Sequence, residues 1–300
     1  MCLVAFAINA SARWPLVIAA NRDEFFDRPT LPLGPWQTAS GQDVISGRDL
    51  RAGGTWLGMT PGGRVAFLTN VREANAQAAP RSRGELVTRW LEENADASEF
   101  ARAVKKDGAD YGGFNLVLGD FQRNTWMWLS NRFAAIPSAA APRWHEQLLP
   151  PGIYGLSNAA LNTPWPKTMA LKSILTSGLT ASNAPESQTL QASLWAALAN
   201  RERAPREKLP ATGVPLVSEE ALSSAFVEFP EHSYGTRSST VLLASAHDSR
   251  EGTRRWDMSV EERTHLHGEA EKKGAAQTSF EAALAGVERY QFPWQHVKGL

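Results

Sequence analysis

The second residue of the chain is its only cysteine, and its position gives it a chemical role. An initiator methionine is removed when the next residue is small, so we expect the mature chain to begin at Cys2, with a free α-amine and a thiol on one residue. A free thiol titrates near about 8.5 and an α-amine near about 7.7–8.0, so at neutral pH some amine is unprotonated and accepts the thiol proton. Cys2 is therefore predicted to be a nucleophile that carries its own base. The alternative is a small residue that processing tolerates.

Two apolar segments after Cys2 are expected to bring polar groups back to it. The segments 3–8 and 16–20 predict two strands of an antiparallel hairpin, and Asn21-Arg22-Asp23-Glu24 follows the second strand directly. The end of the second strand lies beside the start of the first, so this tetrad is expected next to Cys2. A carboxylate there orients the amine, and an arginine favours the thiolate. The alternative is a polar turn capped by its own Asn and Asp.

A second polar residue ends another apolar strand. The segment 65–69 predicts a strand, and Asn70 follows it. An asparagine amide at a strand end can donate to the oxyanion of an acyl-transfer reaction, a contact whose loss costs several kcal/mol. The alternative for Asn70 is the commoner one, an asparagine that begins a turn.

Six motifs in a fixed order between residues 2 and 240 resemble the NRDE family, also called the transport and Golgi organisation protein 2 family. They are Cys2, Asn21-Arg22-Asp23-Glu24, Gly53-Gly54-Thr55-Trp56-Leu57-Gly58, Leu68-Thr69-Asn70, Gly155-Leu156-Ser157-Asn158 with Thr163-Pro164-Trp165-Pro166-Lys167, and Tyr234-Gly235-Thr236-Arg237-Ser238-Ser239-Thr240. That family is in turn similar to N-terminal-nucleophile hydrolases of the penicillin V acylase and bile salt hydrolase kind.

The resemblance implies a fold and a set of roles. The fold is α+β, a four-layer αββα sandwich with antiparallel sheets. Cys2 would attack an amide, Asp23 would hold the α-amine, and Asn70 and Asn158 would line the site. The similar hydrolases place an arginine before the Asn-x-Asp core, where this chain has Ala20. Two arginines therefore remain candidates for supporting the thiolate, Arg22 inside the core and Arg237. Asn21 completes the predicted site.

Two functions from different classes follow. The first is an N-terminal cysteine hydrolase that cleaves an amide or thioester of a small acylated substrate through an acyl-enzyme, without cofactor or metal. The second is a non-catalytic carrier or trafficking protein on the same scaffold for haem or an apolar, lipid-like ligand. Links to secretory organisation and to the handling of haem or lipids are also implied by the resemblance.

Composition narrows the class of partner and the compartment. Lys and Arg number 31, as do Asp and Glu, so no net charge attracts nucleic acid. No apolar run approaches the roughly 20 residues that span a bilayer, and the N-terminus lacks a basic segment of the secretory kind. A single cysteine suits a reducing compartment, so we expect a cytoplasmic protein. The oligomeric state stays open.

Runs of strands separated by pairs of helices, with short hairpins, favour antiparallel sheets covered by helices. One domain over residues 1–300 is predicted, with an exposed connection near 201–215, where three prolines fall among charged residues, and a divergent segment at 246–300. In that segment, 261–273 is predicted to be a charged, solvated face that includes His265 and His267, and 280–290 a short helix.

Overall fold

The computed structural model describes residues 3–74, 78–132, 144–180, 187–248, 254–267 and 286–295. Within these ranges the chain forms fourteen strands and five α-helices. The strands are β1 (Leu3–Ile8), β2 (Leu16–Phe25), β3 (Thr30–Gln37), β4 (Asp43–Asp49), β5 (Leu57–Met59), β6 (Arg64–Asn70), β7 (Phe114–Asp120), β8 (Thr125–Ser130), β9 (His145–Leu148), β10 (Gly152–Leu156), β11 (Glu228–Phe229), β12 (Tyr234–Asp248), β13 (Arg254–Thr264) and β14 (Val287–Gln295). The helices are α1 (Gly84–Glu92), α2 (Ala97–Asp107), α3 (Pro166–Thr180), α4 (Ser187–Leu198) and α5 (Leu216–Ala221).

The strands form two antiparallel sheets that face each other. The first sheet has the order β10-β1-β2-β12-β13-β14, with β11 paired to β12, and the second runs β3-β4-β5-β6-β7-β8-β9. Helices α3 and α4 pack on the outer face of the first sheet, and α1 and α2 pack on the outer face of the second. The predicted four-layer αββα sandwich with antiparallel sheets is therefore confirmed.

The central strands are apolar on both faces because each face is covered. In β1, Val4 and Phe6 point into the core between the sheets, whereas Leu3 and Ala5 point toward α3 and α4. A strand buried on both faces is a continuous apolar run without alternation. This explains why 3–8 contains no polar residue.

The helices that cover the second sheet follow from their sequence. In α1, Leu86 and Trp90 lie on the buried stripe that packs against the sheet. The sequence predicts that α2 opens at Ser98, but the helix begins one residue earlier. The reason is the capping box of Asp96 and Glu99, in which each side chain bonds the backbone N–H of the other residue.

Two predictions about the C-terminal segment are wrong within the described residues. The helix expected at 280–290 is instead strand β14 from Val287 onward, since exposure alternates residue by residue and the strand pairs with β13. The solvated face expected from 261 is instead buried at Glu261 and Glu262, because β13 lies between β12 and β14. Residues 268–285 lie outside the described ranges.

The connection at 201–215 is mostly exposed and holds a single short 3-10 turn, at Arg206–Lys208. None of the helices in the described ranges combines the length and the apolar character needed to cross a bilayer.

Candidate active site

A cavity of about 720 Å³ opens where β2 and β6 end. Arg22 and Phe25 of β2 contribute to its wall, as do Trp56 before β5, Asn70 at the end of β6 and the segment before α1. A volume of this size suits a small-molecule ligand. Arg22 and Asn70, predicted from distant parts of the sequence, are thus brought together at one cavity.

The start of β1 is fixed against the tetrad. Leu3 pairs with Asn21 in the antiparallel β1–β2 ladder, so the first described residue lies beside the first residue of the tetrad. The predicted hairpin is confirmed, with β2 continuing through the tetrad to Phe25. Cys2 itself lies outside the described residues.

The tetrad does not act as one unit, because it continues a strand and its side chains alternate between two faces. Asn21 and Asp23 point toward the helices of the first sheet. Arg22 and Glu24 point toward the other sheet and line the cavity. The sequence predicts all four beside Cys2 without this division.

Arg22 is almost fully buried, with 4% of its surface exposed. Its guanidinium lies over the Trp56 ring, 4.2 Å from the centroid, and its Nη2 is 3.7 Å from Oε2 of Glu24. That separation permits an ion pair but exceeds hydrogen-bond length. Burial lowers the pKa of Arg22, an effect that the charge of Glu24 opposes. Arg22 therefore presents a cation at the cavity wall without a short hydrogen bond to the neighbouring carboxylate.

Three glycines allow Trp56 to adopt its position. A Cβ on Gly47 would lie 2.3 Å from the Trp56 ring, and a Cβ on Gly54 would lie 2.5 Å from the backbone of Gly84. Gly53 has a φ of +78°, which side chains disfavour. The Gly-Gly-Thr-Trp motif thus places the aromatic ring on which Arg22 rests.

Asn21 is a fully bonded anchor. Its Nδ2 donates to Leu198 O at 2.9 Å and to Ala225 O at 2.8 Å, and its Oδ1 accepts from Ser239 Oγ at 2.6 Å. It therefore ties the end of β2 to α4, to the loop after α5 and to β12. The sequence predicts Asn21 as a site residue, and its hydrogen bonds hold β2 in position against these elements.

Asp23 is buried and bonded to Thr236, a residue with no predicted role. Its Oδ1 accepts from Thr236 Oγ1 at 2.7 Å, and that hydroxyl in turn accepts from Val227 N at 2.8 Å. Thr236 lies opposite Asp23 in the β2–β12 ladder. The carboxylate is thus held in one orientation at the end of β2.

The two predicted asparagines meet through the backbone. Asn158 Nδ2 donates to Asn70 O at 2.9 Å, and Arg72 N donates to Asn158 O at 2.8 Å. On either side, Ser157 O accepts from Thr69 Oγ1 and Ala159 O accepts from Asn115 Nδ2. Three successive carbonyls of the loop after β10 therefore join the two sheets beside Asn70, although Asn158 is not among the described residues that line the cavity.

Arg237 takes a different position from Arg22. It is the extra residue of a β-bulge, since Thr236 lies opposite Asp23 while Ser238 lies opposite Arg22. Its Nη1 donates to Phe25 O and Phe26 O. Of the two candidate arginines, Arg22 lines the large cavity, and Arg237 bonds the backbone where β2 ends.

A buried carboxyl group near Arg22, that of Glu262, is a site residue that was not predicted from the sequence. Glu262 accepts from Leu33 N at 2.8 Å and from Thr240 Oγ1 at 3.2 Å, so it bridges the sheets. Burial raises the pKa of Glu262. The alternation of Met258, Val260 and Glu262 on one face of β13 is the signal that places it inside.

The expectation that His265 and His267 are solvated is also wrong. Both are half-buried, since His265 packs edge-on against Phe226 and His267 stacks on Phe26 with ring centroids 4.4 Å apart. In the described ranges, no group of three or more His, Cys, Asp or Glu is arranged to hold a metal ion.

We expect the stability of the protein to fall in mild acid because of His265. Burial, with smaller effects from His267, Arg201 and Arg263, lowers its pKa to about 4 from 6.5. As the pH falls, the unfolded chain therefore binds a proton on His265 before the folded protein does. The contribution of neutral His265 to the free energy of unfolding is complete above about pH 6.5 and is lost as the pH falls toward 4. Because solvent screens a half-buried ring, we expect this contribution to the free energy of unfolding to be about 1–2 kcal/mol.

Urea unfolding of the wild type and of His265→Gln, at intervals between pH 7 and 4, measures this contribution. The wild type is expected to lose more free energy of unfolding than the variant across this interval. Parallel curves for the two proteins would contradict the assignment.

Comparison with known proteins identifies the family. The family described as Transport and Golgi organisation 2 matches residues 1–255. The chain belongs to the Transport and Golgi organisation 2 family. It is 34% identical to the Bos taurus Transport and Golgi organization protein 2 homolog over 261 residues, covering 82% of this chain and 89% of the relative. The Homo sapiens homolog is 33% identical over 257 residues, with the same coverage. The Drosophila melanogaster protein is 29% identical over 272 residues, with coverage of 82% and 88%.

Solved structures of hydrolases are similar to this chain at low identity. A Caenorhabditis elegans ortholog of N-acylethanolamine-hydrolyzing acid amidase has a TM-score of 0.46 and 14% identity, covering 80% of this chain and 92% of that one. A mutant of conjugated bile acid hydrolase from Clostridium perfringens has a TM-score of 0.47 and 7% identity, covering 97% of both chains.

The Transport and Golgi organisation 2 match contains the tetrad, both asparagines and β12, but it ends at residue 255. Nearly all of β13 and the whole of β14 lie beyond it. Glu262, His265 and His267 therefore reach the site from a part of the chain outside the family match.

Proposed function

We propose that the protein is an N-terminal cysteine hydrolase that cleaves an amide or thioester of a small acylated substrate. The observation that carries this proposal is the pairing of Leu3 with Asn21 beside a cavity lined by Arg22 and Asn70. Cys2 is joined directly to Leu3. The proposal therefore requires the Cys2 thiol to act at this cavity.

In the proposed reaction, Cys2 Sγ forms a bond to the carbonyl carbon, and its proton passes to the α-amine of the same residue. The tetrahedral intermediate then breaks its C–N or C–S bond, and the amine returns the proton to the leaving group. Water attacks the acyl-enzyme in the second half. The carboxylic acid is released, and the thiol and amine return to their starting state.

The surrounding groups supply position and charge. Arg22 favours the thiolate because it places a positive charge at the cavity wall. Asp23, held by Thr236, orients the α-amine. Asn70 and Asn158 stabilise the tetrahedral oxygen and the amine, and their separation is set by the bond from Asn158 Nδ2 to Asn70 O.

The charge of the cavity favours this function over the carrier of an apolar ligand or haem. The described lining residues include five arginines and three carboxylates, namely Arg22, Arg28, Arg81, Arg83, Arg132, Glu24, Asp49 and Glu73. Such a wall suits a polar acyl conjugate better than an apolar chain. Within the proposal the protein acts in the cytoplasm, where its one thiol stays reduced.

The proposal predicts a processed N-terminus and a thiol that titrates early. Intact mass is expected to show that Met1 is removed, since retention eliminates the amine-based mechanism. Because Cys2 is the only cysteine, the pH dependence of iodoacetamide alkylation reports its pKa alone. We expect alkylation of the wild type to proceed at a lower pH than that of a free thiol, and to need a higher pH in Arg22→Gln, which lacks the positive charge.

Arg132→Gln is the matched control, since Arg132 lines the same cavity but is paired with Glu73 at 2.7 Å and is partly exposed. Its alkylation profile is expected to match the wild type. Equal profiles for all three proteins would remove the support that Arg22 gives to the proposal. A protein that turns over no amide or thioester yet binds haem or acyl chains would establish the carrier instead.

A further inference from the structure

We propose that His265 is a positioning residue of the candidate site, acting through Ser239 on Asn21. The inference rests on the proposed hydrolase function and adds a residue from beyond the family match. It is carried by a continuous line of hydrogen bonds, from the end of β13 across β12 to the end of β2.

The direction of each hydrogen bond in this line is determined. Asn21 Nδ2 donates to two backbone carbonyls, so its Oδ1 is the oxygen that accepts the proton of Ser239 Oγ, at 2.6 Å. The hydroxyl has a single proton, and therefore it accepts from His265 Nε2, at 2.9 Å. His265 thus holds the Ser239 proton toward Asn21.

The segment that carries His265 is itself fixed on the β12 bulge. His265 N donates to Arg237 O at 2.8 Å, and His267 Nε2 donates to Thr236 O at 2.6 Å. Thr236 is the residue that bonds Asp23. His265 therefore bonds Ser239, which holds Asn21. His267 bonds Thr236, which holds Asp23.

This arrangement explains how the end of β2 keeps its place. Asn21 and Asp23 alternate with Arg22 on one strand, so a displacement of Asn21 moves Arg22 at the cavity and Leu3 on the neighbouring strand. Misplacement of reacting groups by about 1 Å can cost about 100-fold in rate. Loss of the His265 donor is therefore expected to act on the rate of the chemical step.

The test measures kcat and KM of the full chain on the amide or thioester that the wild type hydrolyses. His265→Leu is expected to lower kcat by about 10-fold to 100-fold while KM changes by less than about 2-fold. His265→Gln, whose side-chain amide supplies an N–H near the position of Nε2, is expected to restore kcat to within about 3-fold of the wild type. Rates are divided by the folded fraction of each protein, obtained from its urea unfolding curve, which removes the effect of unfolded protein.

His232→Leu is the matched control, because His232 is exposed and packs on Phe229 away from the tetrad. It is expected to keep the wild-type kcat. Ser239→Ala is the second variant, for use if His265→Leu fails to fold. It is expected to lower kcat to a similar extent. Where His265→Leu folds, combining it with Ser239→Ala is expected to cause little further loss, since both changes act on one line of bonds.

The outcomes separate the two proposals. Full kcat per folded molecule in His265→Leu or in Ser239→Ala, with an active wild type, overturns the role of His265 and leaves the hydrolase standing. Equal loss in His265→Leu and His265→Gln also overturns it, because the donated proton then does not matter. A wild type that hydrolyses none of the substrates overturns the hydrolase proposal, and the positioning role with it.

Discussion

Cys2→Ala is expected to lower kcat by about 10⁴-fold or more, the scale seen when a covalent nucleophile is removed. Alanine keeps the α-amine and the chain length, so the change removes only the sulfur that forms the acyl-enzyme. The measurement is hydrolysis of a panel of amides and thioesters by the full chain, together with intact mass of the protein quenched during turnover. The wild type is expected to carry an acyl adduct that the variant lacks.

His232→Leu serves as the control for this experiment, since His232 is exposed and is not among the described residues that line the cavity. Cys2→Ser tests whether the nucleophile is the decisive feature. A serine hydroxyl is far less acidic than a thiol, so this variant is expected to retain little activity. Substantial hydrolysis by Cys2→Ala, or an adduct on another residue, would contradict the proposed mechanism.

Local patterns in the sequence were sufficient for the parts of the site built from neighbouring residues. The apolar segments 3–8 and 16–20 predict the hairpin that pairs Leu3 with Asn21, because chain order alone brings the end of one strand beside the start of the other. Asn70 is found for a similar reason, since a polar residue that follows an apolar run marks the end of a buried strand, and Asn70 is the last residue of β6.

The same reasoning could also have predicted which face of the sheet each side chain of the tetrad points to. Once β2 is extended through the tetrad, the period of two residues separates Asn21 and Asp23 from Arg22 and Glu24. The sequence prediction placed all four residues together beside Cys2 and therefore lacked this division. The bulge at Arg237 was not predictable, because it depends on how β12 pairs with β2 over more than 200 residues of intervening chain.

The residues near the site that come from the C-terminal strands could not be predicted either, because their position depends on the pairing of distant strands. A charged stretch such as Glu261-Glu262-Arg263 resembles a solvated face until β14 is placed beside it. Glu262 then lies between the sheets, and His265 lies on Ser239. Such residues are identified by the pairing of strands and not by local composition.

Arg72 and Glu219 form the other feature that the sequence did not indicate. Their buried ion pair links the end of β6 to α5, with Glu219 also accepting from Thr212 N at 3.0 Å. The guanidinium of Arg72 lies over the Trp165 ring, 4.8 Å from the centroid, and its backbone N–H bonds Asn158 O. The pair therefore holds the loop of Asn158 against the strand of Asn70.

Glu219→Gln is expected to lower the free energy of unfolding by about 3–5 kcal/mol, because it leaves the buried charge of Arg72 without its partner. Urea unfolding at neutral pH measures the loss. Glu220→Gln is the adjacent control, since Glu220 pairs with the exposed Arg206 at 3.3 Å, a surface pair worth about 0–1 kcal/mol.

Replacing both partners separates the cost of an unpaired charge from the value of the ion pair itself. Arg72→Met combined with Glu219→Leu removes both charges and keeps apolar volume, so we expect it to recover most of the stability that Glu219→Gln loses. Equal stability of Glu219→Gln and Glu220→Gln would mean that Arg72 finds water or another acceptor. Full stability of the double variant with reduced hydrolysis would instead mean that the pair serves to align the two asparagines more than to stabilise the fold.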